Sequence, residues 1–276
     1  MRLALISDIH ANVEALRATF ADVGNRGADR IVCLGDIVGY NANPAECIAL
    51  IRDVNAICVA GNHDLAVCGR IPTKYFPAAA ARALAWTQRR LSWRDLQFLA
   101  ALPLKAHVEG GLVAVHGALH PQTACATVRL DTDEKRQQSF QALIADRSGA
   151  RMCAFGHTHH VGVYEFCSRG SVIAAEHEKT TPLRDDAYYL FNPGSVGQPR
   201  GKDTRASYMM LDLVARTVAV HHVVYDRAAT LAATRQAGLA PALSLVAGPL
   251  RDAIGGGLRA LHLDRSVRGL AAYLGL

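Results

Sequence analysis

Residues 3–12 read Leu-Ala-Leu-Ile-Ser-Asp-Ile-His-Ala-Asn, an apolar run that ends in Asp8 and His10. Four further apolar runs in the first 160 residues also end in residue types that bind metals. Because ligands of open α/β sheets bind beyond the carboxyl ends of the strands, these five ends are predicted to form one pooled site. The five runs are residues 3–6, 31–34, 56–60, 112–115 and 152–155.

A short motif containing Asp, His or Asn follows each of the five runs. Each motif alone can be a turn or a loop cap, but their joint occurrence at successive strand ends favours metal binding. Carboxylate oxygens, imidazole nitrogens and amide oxygens suit Mn²⁺, Fe²⁺ or Zn²⁺ better than metals that prefer thiolates. The motifs are Asp8-Ile9-His10, Gly35-Asp36, Gly61-Asn62-His63-Asp64, His116-Gly117 and Gly156-His157-Thr158-His159, and a sixth, Asn192-Pro193-Gly194-Ser195, follows later.

The number of candidate ligands exceeds one tetrahedral site and predicts two ions that share a bridge. Two ions about 3.5–4 Å apart are a common device for displacement at phosphorus. With two carboxylates and a bound hydroxide, two dications leave about one positive charge, which attracts a phosphate ester. The candidate ligands are Asp8, His10, Asp36, Asn62, His116, His157 and His159.

The composition indicates one large domain with or without an appendage, because the chain has 276 residues of which 50% are hydrophobic. No signal-peptide pattern precedes the first run, and no apolar stretch is long enough to cross a membrane. Seven cysteines form no CxxC pair and mostly lie in apolar runs, as reduced thiols do. We therefore expect a cytoplasmic protein.

The net charge of +6 is concentrated near the C-terminus, where residues 227–276 hold six arginines and two aspartates. A basic tail can bind nucleic acid or an anionic membrane. These arginines, however, are scattered among Ala and Leu without aromatic residues, which favours a solvated helical face. We therefore expect neither a membrane nor nucleic acid as a partner, and a homo-oligomer is left open.

Helices are predicted between the first three strands, at residues 11–23 and 43–54, where Pro44 follows the N-cap candidate Asn43. This β-α-β-α-β order favours parallel strands with right-handed crossovers. Further helices are predicted at residues 77–102, with a second start at Ser92, and at residues 133–145.

After His160 the pattern changes to short strands that are joined directly, which favours a second, partly antiparallel sheet packed on the first. Residues 168–186 are predicted to be a loop. The expected architecture is an α/β protein with a helix/sheet/sheet/helix sandwich at residues 1–225 and a helical extension at residues 226–276 that packs on it. The late strands are residues 161–167, 188–191, 207–213 and 218–225.

The ordered set of motifs resembles that of the calcineurin-like metallophosphoesterases over about residues 1–225. The spellings Ser-Asp-Ile-His-Ala-Asn, Leu-Gly-Asp-Ile-Val-Gly-Tyr and Asn-Pro-Gly-Ser-Val-Gly-Gln-Pro-Arg are most similar to the small bacterial predicted phosphodiesterases of the YfcE-like group. The resemblance implies a four-layer α/β/β/α sandwich, which agrees with the architecture expected from the pattern.

The resemblance also implies a role for each motif residue. A hydroxide between the two ions would attack phosphorus, with Asp36 bridging both ions. His63 would protonate the leaving oxygen, and Asp64 would orient its imidazole and raise its pKa. Asp8, His10 and His159 would bind the first ion, and Asn62, His116 and His157 the second.

One departure from the family concerns the phosphate clamp. Several members carry an Arg shortly after Gly-Asp, whereas this chain reads Ile37-Val38-Gly39-Tyr40-Asn41. This disfavours a protein phosphatase. Candidate substitutes are Asn12, Tyr40, Asn41 and Arg200, although Asn12 and Asn41 are equally well read as loop caps.

The predicted function is hydrolysis of a small phosphate ester, with a phosphodiester or nucleotide favoured over a phosphomonoester. The alternatives are a phosphomonoesterase of the same mechanism, or a non-catalytic metal-binding scaffold like the retromer subunit of this superfamily. The His63-Asp64 pair favours an enzyme, because a scaffold needs no general acid. The expected cofactor is a pair of divalent ions, with Mn²⁺ favoured over Fe²⁺, Zn²⁺, Ni²⁺ and Co²⁺.

Overall fold

Twelve strands form the frame of the molecule in the computed structural model, which describes residues 1–119, 126–167, 173–174, 180–200 and 203–239. In chain order the strands are β1 (Arg2–Ile6), β2 (Arg30–Cys33), β3 (Ile57–Cys58), β4 (Lys105–Val108), β5 (Leu112–Val115), β6 (Met152–Ala154), β7 (Val161–Phe166), β8 (Ile173–Ala174), β9 (Thr180–Pro182), β10 (Tyr188–Pro193), β11 (Ala206–Asp212) and β12 (Thr217–Val223).

Seven α-helices accompany these strands in the described part of the chain. Asn12 caps the first helix by accepting a hydrogen bond from Ala15, and a capping box between Ser92 and Asp95 begins the fifth. The helices are α1 (Val13–Asn25), α2 (Pro44–Asp53), α3 (Asn62–Val67), α4 (Ala78–Arg90), α5 (Trp93–Ala101), α6 (Asp133–Ile144) and α7 (Arg227–Gln236).

The strands form two mixed six-stranded sheets, in the orders β3-β2-β1-β11-β12-β9 and β4-β5-β6-β10-β7-β8. The predicted parallel pairing of the first three strands is confirmed, since β1 pairs with β2 and β2 with β3 in parallel. In the second sheet, β6 lies between β5 and β10, parallel to both. The carboxyl ends of these parallel strands carry the motifs.

Alternation along each strand divides the apolar side chains among three buried layers. Leu3 and Leu5 of β1 belong to the cluster between the sheets, together with Leu112 and Ala114 of β5. The opposite faces of the strands pack on helices. Ala4 and Ile6 share a cluster with α1 and α2, whereas Val113, Val115 and Cys153 share one with Phe140 and Leu143 of α6. The predicted four-layer α/β/β/α sandwich is therefore confirmed.

The late strands do not form a sheet of their own, so this part of the prediction was wrong. β7 and β10 join the second sheet, whereas β11 pairs antiparallel with β1 and brings β12 into the first sheet. Apolar alternation predicts that a strand exists but does not identify its partner, because either sheet offers a suitable buried face. β4 was also missed; its hairpin to β5 turns at Gly110 and Gly111, both with positive φ.

The predicted C-terminal extension is only partly described. α7 packs near the site loops, where Thr230 donates a hydrogen bond to Asn12 and Thr234 donates one to Asn41. Residues 240–276 lie outside the described residues, so the boundary at 225 stays a prediction. Within the predicted loop at 168–186, β8 and β9 are short strands, and residues 168–172 and 175–179 are not described. No helix among the described residues is long and apolar enough to cross a membrane.

Candidate metal centre

The residues that end β1, β2 and β6 leave their strands through left-handed backbone turns. The φ angles are +54° at Asp8, +48° at His10 and +53° at Asp36, with +63° at His157 and +61° at His159. Non-glycine residues rarely adopt this conformation, which costs about 1–3 kcal/mol per residue. Such strained conformations are found mainly at functional sites. The turns direct side chains from both sheets into one buried cluster.

Backbone carbonyl groups fix the orientation of three of the imidazoles. Nδ1 of His10 lies 3.2 Å from the oxygen of Val38, Nδ1 of His116 lies 2.7 Å from that of Leu34, and Nδ1 of His159 lies 2.6 Å from that of Gln198. A carbonyl oxygen only accepts, so each Nδ1 must carry the proton. This leaves the Nε2 lone pair free to bind a metal ion in the neutral ring.

Asp8, His10 and His159 form the first group of facing ligand atoms. Oδ1 of Asp8 lies 3.2 Å from Nε2 of His159 and 3.7 Å from Nε2 of His10, and the two Nε2 atoms lie 3.3 Å apart. Ser7 and the backbone amide of His157 hydrogen-bond to Oδ2 of Asp8. Oδ1 is buried and makes no hydrogen bond within the described part of the chain. An acceptor beside two nitrogen lone pairs fits a cation.

Asp36, His116 and His157 form the second group. Their ligand atoms all lie within 4.8 Å of one another. Oδ2 of Asp36 lies 3.3 Å from Nε2 of His116, and Oδ1 of Asn62 lies 3.1 Å from the same nitrogen. The seven predicted ligands are therefore brought together in one cluster, from loops that follow five strands.

Asp36 connects the two groups. Its Oδ2 lies 3.7 Å from Nε2 of His10 as well as 3.3 Å from Nε2 of His116, while its Oδ1 accepts a hydrogen bond from the backbone amide of His63. Gly61 has no Cβ at this point, and a Cβ there would collide with the Asp36 carboxylate. One carboxylate oxygen thus faces a ligand of each group, as a bridging ligand must.

The electrostatics of the centre suit neutral imidazoles that bind cations. Burial lowers the pKa of His10, His157 and His159 well below its ordinary value, so these rings are uncharged near neutral pH. Burial also disfavours the charged forms of Asp36 and His116, but the attraction between their charges has the larger effect on both pKa values. It lowers the pKa of Asp36 and raises that of His116 to about 9. Burial, with the nearby Asp36 charge, raises the pKa of Asp8 to about 6.

These observations agree with a site that can hold a divalent metal ion. Metal binding requires neutral imidazoles and ionised carboxylates, so His116, whose pKa is raised, would lose its Nε2 proton when it binds a cation. The donor set of nitrogen and oxygen without sulfur suits a borderline or hard ion. Five of the seven candidate ligands are fully buried or nearly so, at 4% exposure or less: Asp8, His10, Asp36, His116 and His159.

The expected pairing of His63 with Asp64 is not found. Both oxygens of Asp64 accept backbone hydrogen bonds, from Val38 and Gly61, and Nδ1 of His63 has no hydrogen-bond partner among the described residues. Consecutive residues of helix α3 project about 100° apart, so the two side chains diverge. Asp64 is a structural residue. Burial raises its pKa to about 7, and burial lowers the pKa of His63 to about 4.

Two of the proposed substitutes for the phosphate clamp are structural as well. Asn12 is fully buried; its amide donates to the oxygen of Gly197 while its carbonyl caps α1. Asn41 donates to the oxygen of His10 and accepts from Thr234. Their loop-cap interpretation is therefore the correct one. The Tyr40 ring packs 4.7 Å from the rings of His10 and His63.

A pocket of about 650 Å³ opens onto the centre. Arg200, one of the candidate phosphate-binding residues, lines it, and its charge adds to burial in lowering the pKa of His159. Arg129 also lines the pocket, but the sequence showed no motif around it. The remaining lining residues are Asp36, Asn62, His63, Ile71, Pro72, Tyr75, Phe76, Pro77, Thr127, His157 and His159.

Comparison with known proteins identifies the family of the chain. The model of the calcineurin-like phosphoesterase superfamily domain matches residues 1–216. A protein of Methanocaldococcus jannaschii described as uncharacterised is 37% identical over 231 residues, which cover 81% of this chain and 88% of that protein.

Solved structures with this fold include a metallophosphoesterase from Sphaerobacter thermophilus. It is 35% identical with a TM-score of 0.73, and the match covers 89% of this chain and 98% of that one. A hypothetical protein from Pyrococcus horikoshii OT3 is 18% identical with a TM-score of 0.66, over 87% of this chain and 94% of that one, which shows the shared fold alone.

The chain belongs to the calcineurin-like phosphoesterase superfamily and is a hydrolase of that family. The resemblance predicted from the motifs is confirmed at this level. The residues that the family model covers include all seven candidate ligands, and three groups of them or of their neighbours could each hold a metal ion.

Metal removal is expected to lower the stability of the folded chain, because the buried carboxylates then lack a counter-charge and the imidazole nitrogens lack a partner. At about 100 times the Kd, Mn²⁺ should stabilise the protein by about 2.7 kcal/mol per ion, seen as a higher melting temperature. Asp36→Asn should lose most of this gain, whereas Asp53→Asn, at an exposed position, should keep it. Equal melting temperatures with chelator and with Mn²⁺ would contradict a metal site.

Proposed function

We propose that the protein hydrolyses a small phosphate ester, with a phosphodiester or nucleotide preferred over a simple phosphomonoester. One observation carries this proposal: three imidazoles with protonated Nδ1 turn their Nε2 atoms toward two buried carboxylates at the floor of a pocket. The pocket volume of about 650 Å³ is typical of small-molecule sites. A small substrate also agrees with the missing Arg after Gly35-Asp36.

The proposed cofactor is a pair of divalent ions, with Mn²⁺ first among the candidates. Asp8, His10 and His159 would hold one ion, and Asn62, His116 and His157 the other, with Asp36 between them. When bound, the ions would supply Lewis acidity for the attack of water on phosphorus. The protein would contribute a fixed, preorganised set of ligands, because the Nδ1 bonds and the left-handed turns leave the rings little freedom.

Arg129 and Arg200 are proposed to hold the phosphate group. Both line the pocket and come from different segments, one before α6 and the other after β10. Guanidinium groups bind phosphate oxygens through paired, charge-assisted hydrogen bonds. Together they would take the place of the single Arg that several relatives carry after Gly-Asp, which is absent here.

His63 is proposed to donate a proton to the leaving oxygen. It lines the same pocket, its ring lies 4.7 Å from that of His10, and Gly39 makes room for it, because a Cβ at Gly39 would collide with its Nδ1. Burial keeps the free imidazole neutral, so it needs a negative group nearby to hold a proton. A bound phosphate oxyanion supplies that charge, which favours the protonated ring.

The other expectations from the sequence stay predictions. They are a cytoplasmic location, an oligomeric state that the sequence leaves open, and no role for nucleic acid or membranes as partners.

Hydrolysis of two chromogenic esters tests the proposed function. Metal-stripped protein refilled with Mn²⁺ should turn over bis(p-nitrophenyl) phosphate with a higher kcat/KM than p-nitrophenyl phosphate. Preference for the monoester would replace the diesterase proposal with a phosphatase. If neither ester is hydrolysed while the metals are bound, the proposed activity is wrong.

Replacing His63 separates proton donation from metal binding. His63→Ala should keep the full metal content but lose about 10²- to 10⁴-fold in kcat on an alkyl ester, whose leaving oxygen needs a proton. The loss should be much smaller on a p-nitrophenyl ester, because nitrophenolate leaves unprotonated. His107→Ala, at an exposed position of β4, is the matched control. Unchanged hydrolysis of the alkyl ester would rule out His63 as the acid.

A further inference from the structure

One wall of the pocket is apolar and comes from a single segment between α3 and α4. Five of its residues line the pocket: Ile71, Pro72, Tyr75, Phe76 and Pro77. The charged and metal-binding lining comes from other segments of the chain. A bare phosphate or a small alkyl phosphate would use only the charged part. The wall offers no charged or metal-binding group to the phosphate, so its exposed surface is available to another part of the ligand.

Tyr75 is the exposed member of this wall. Its side chain is 76% exposed although it is a large aromatic residue, and it ends a short 3₁₀ turn, Thr73–Tyr75. Lys74 Nζ lies 5.2 Å from the centre of the ring. An exposed aromatic ring at the edge of a binding pocket is a common platform for stacking another planar group.

The neighbours of Tyr75 in sequence place its backbone close to the reactive centre. The adjacent Phe76 packs edge-on against His63, with ring centres 5.1 Å apart. Pro72 and Pro77 flank the turn, and proline restricts the backbone on both sides. Tyr75 thus lies next in sequence to a residue that contacts His63, on the side of the pocket that is lined by apolar groups.

We propose that Tyr75 stacks on a planar aromatic group carried by the phosphate ester, a nucleobase, and so selects nucleotides over sugar or alkyl phosphates. The phosphate lies at the metal centre and the base lies on the wall formed by residues 71–77. The inference rests on the proposed function, because it places the phosphate at the metal centre. It narrows the proposed substrates to nucleotides and names a specificity-determining residue that lies outside the six motifs of the sequence.

Binding of two ligands that share a phosphate but differ in the base tests the proposal. Mn²⁺-loaded protein is titrated calorimetrically with adenosine 5′-monophosphate and with ribose 5-phosphate; where a ligand is turned over, kcat/KM is compared instead. The wild-type protein should bind the nucleotide about tenfold more tightly, as expected for one stacked base at an exposed edge. Tyr75→Ala should remove this preference, whereas Tyr75→Phe should keep it. Neither substitution should change the affinity for ribose 5-phosphate.

A matched control is Trp93→Ala, because Trp93 is an equally exposed aromatic residue, at 73%, that does not line the pocket. Its nucleotide preference should equal that of the wild-type protein. Equal binding of the two ligands by a protein that hydrolyses phosphate esters would overturn the inference and leave the proposed function intact. The inference would also be overturned if the protein bound neither ligand. If such a protein also failed to hydrolyse phosphate esters, the proposed function would be refuted as well.

Discussion

Hydrogen bonds from imidazole Nδ1 to backbone carbonyls are the constraint on which the site depends. They link His10 to the loop after β2, His116 to the end of β2, and His159 to the loop after β10. Each bond fixes both the ring orientation and the tautomer, so that the Nε2 atoms converge. Because the ligands and their carbonyl partners come from both sheets, the site forms only when the two sheets pack in one relative position. The sandwich is therefore a requirement of the site as well as a way to bury apolar surface.

The site concentrates strain and charge that the rest of the molecule must support. Five ligand residues adopt left-handed backbone conformations, and two carboxylates lie buried among four histidines. The loop of Asn192 and Ser195 supports them: Asn192 donates to the oxygen of Gly156 and to Thr158, and Ser195 donates to the oxygen of Asp8. These contacts explain why the sixth motif belongs to the site although it supplies no ligand.

Much of the fold and site could be predicted because the signals are local. Apolar runs identified the parallel strands, and the residue types at their ends predicted the pooled ligands. The pairing of strands depends on distant parts of the chain. β11 pairs with β1 although the two strands are more than 190 residues apart in sequence, and the apolar alternation within a strand does not identify such a partner. The predicted pairing of Asp64 with His63 failed for a different reason. The two residues are consecutive in α3, and consecutive residues of a helix lie on different sides of it. Arg129 and Tyr75 stand in no motif, and only the folded chain shows that they line the pocket.

We propose that the two groups of ligands form one centre in which Asp36 joins two ions. Electron paramagnetic resonance of the metal-free protein titrated with Mn²⁺ tests this claim directly, since neighbouring Mn²⁺ ions alter each other's spectrum. The protein should saturate at two ions per chain and give an exchange-coupled spectrum, because bridged ions lie about 3.5–4 Å apart. Saturation at one ion, or two ions with uncoupled spectra, would contradict it.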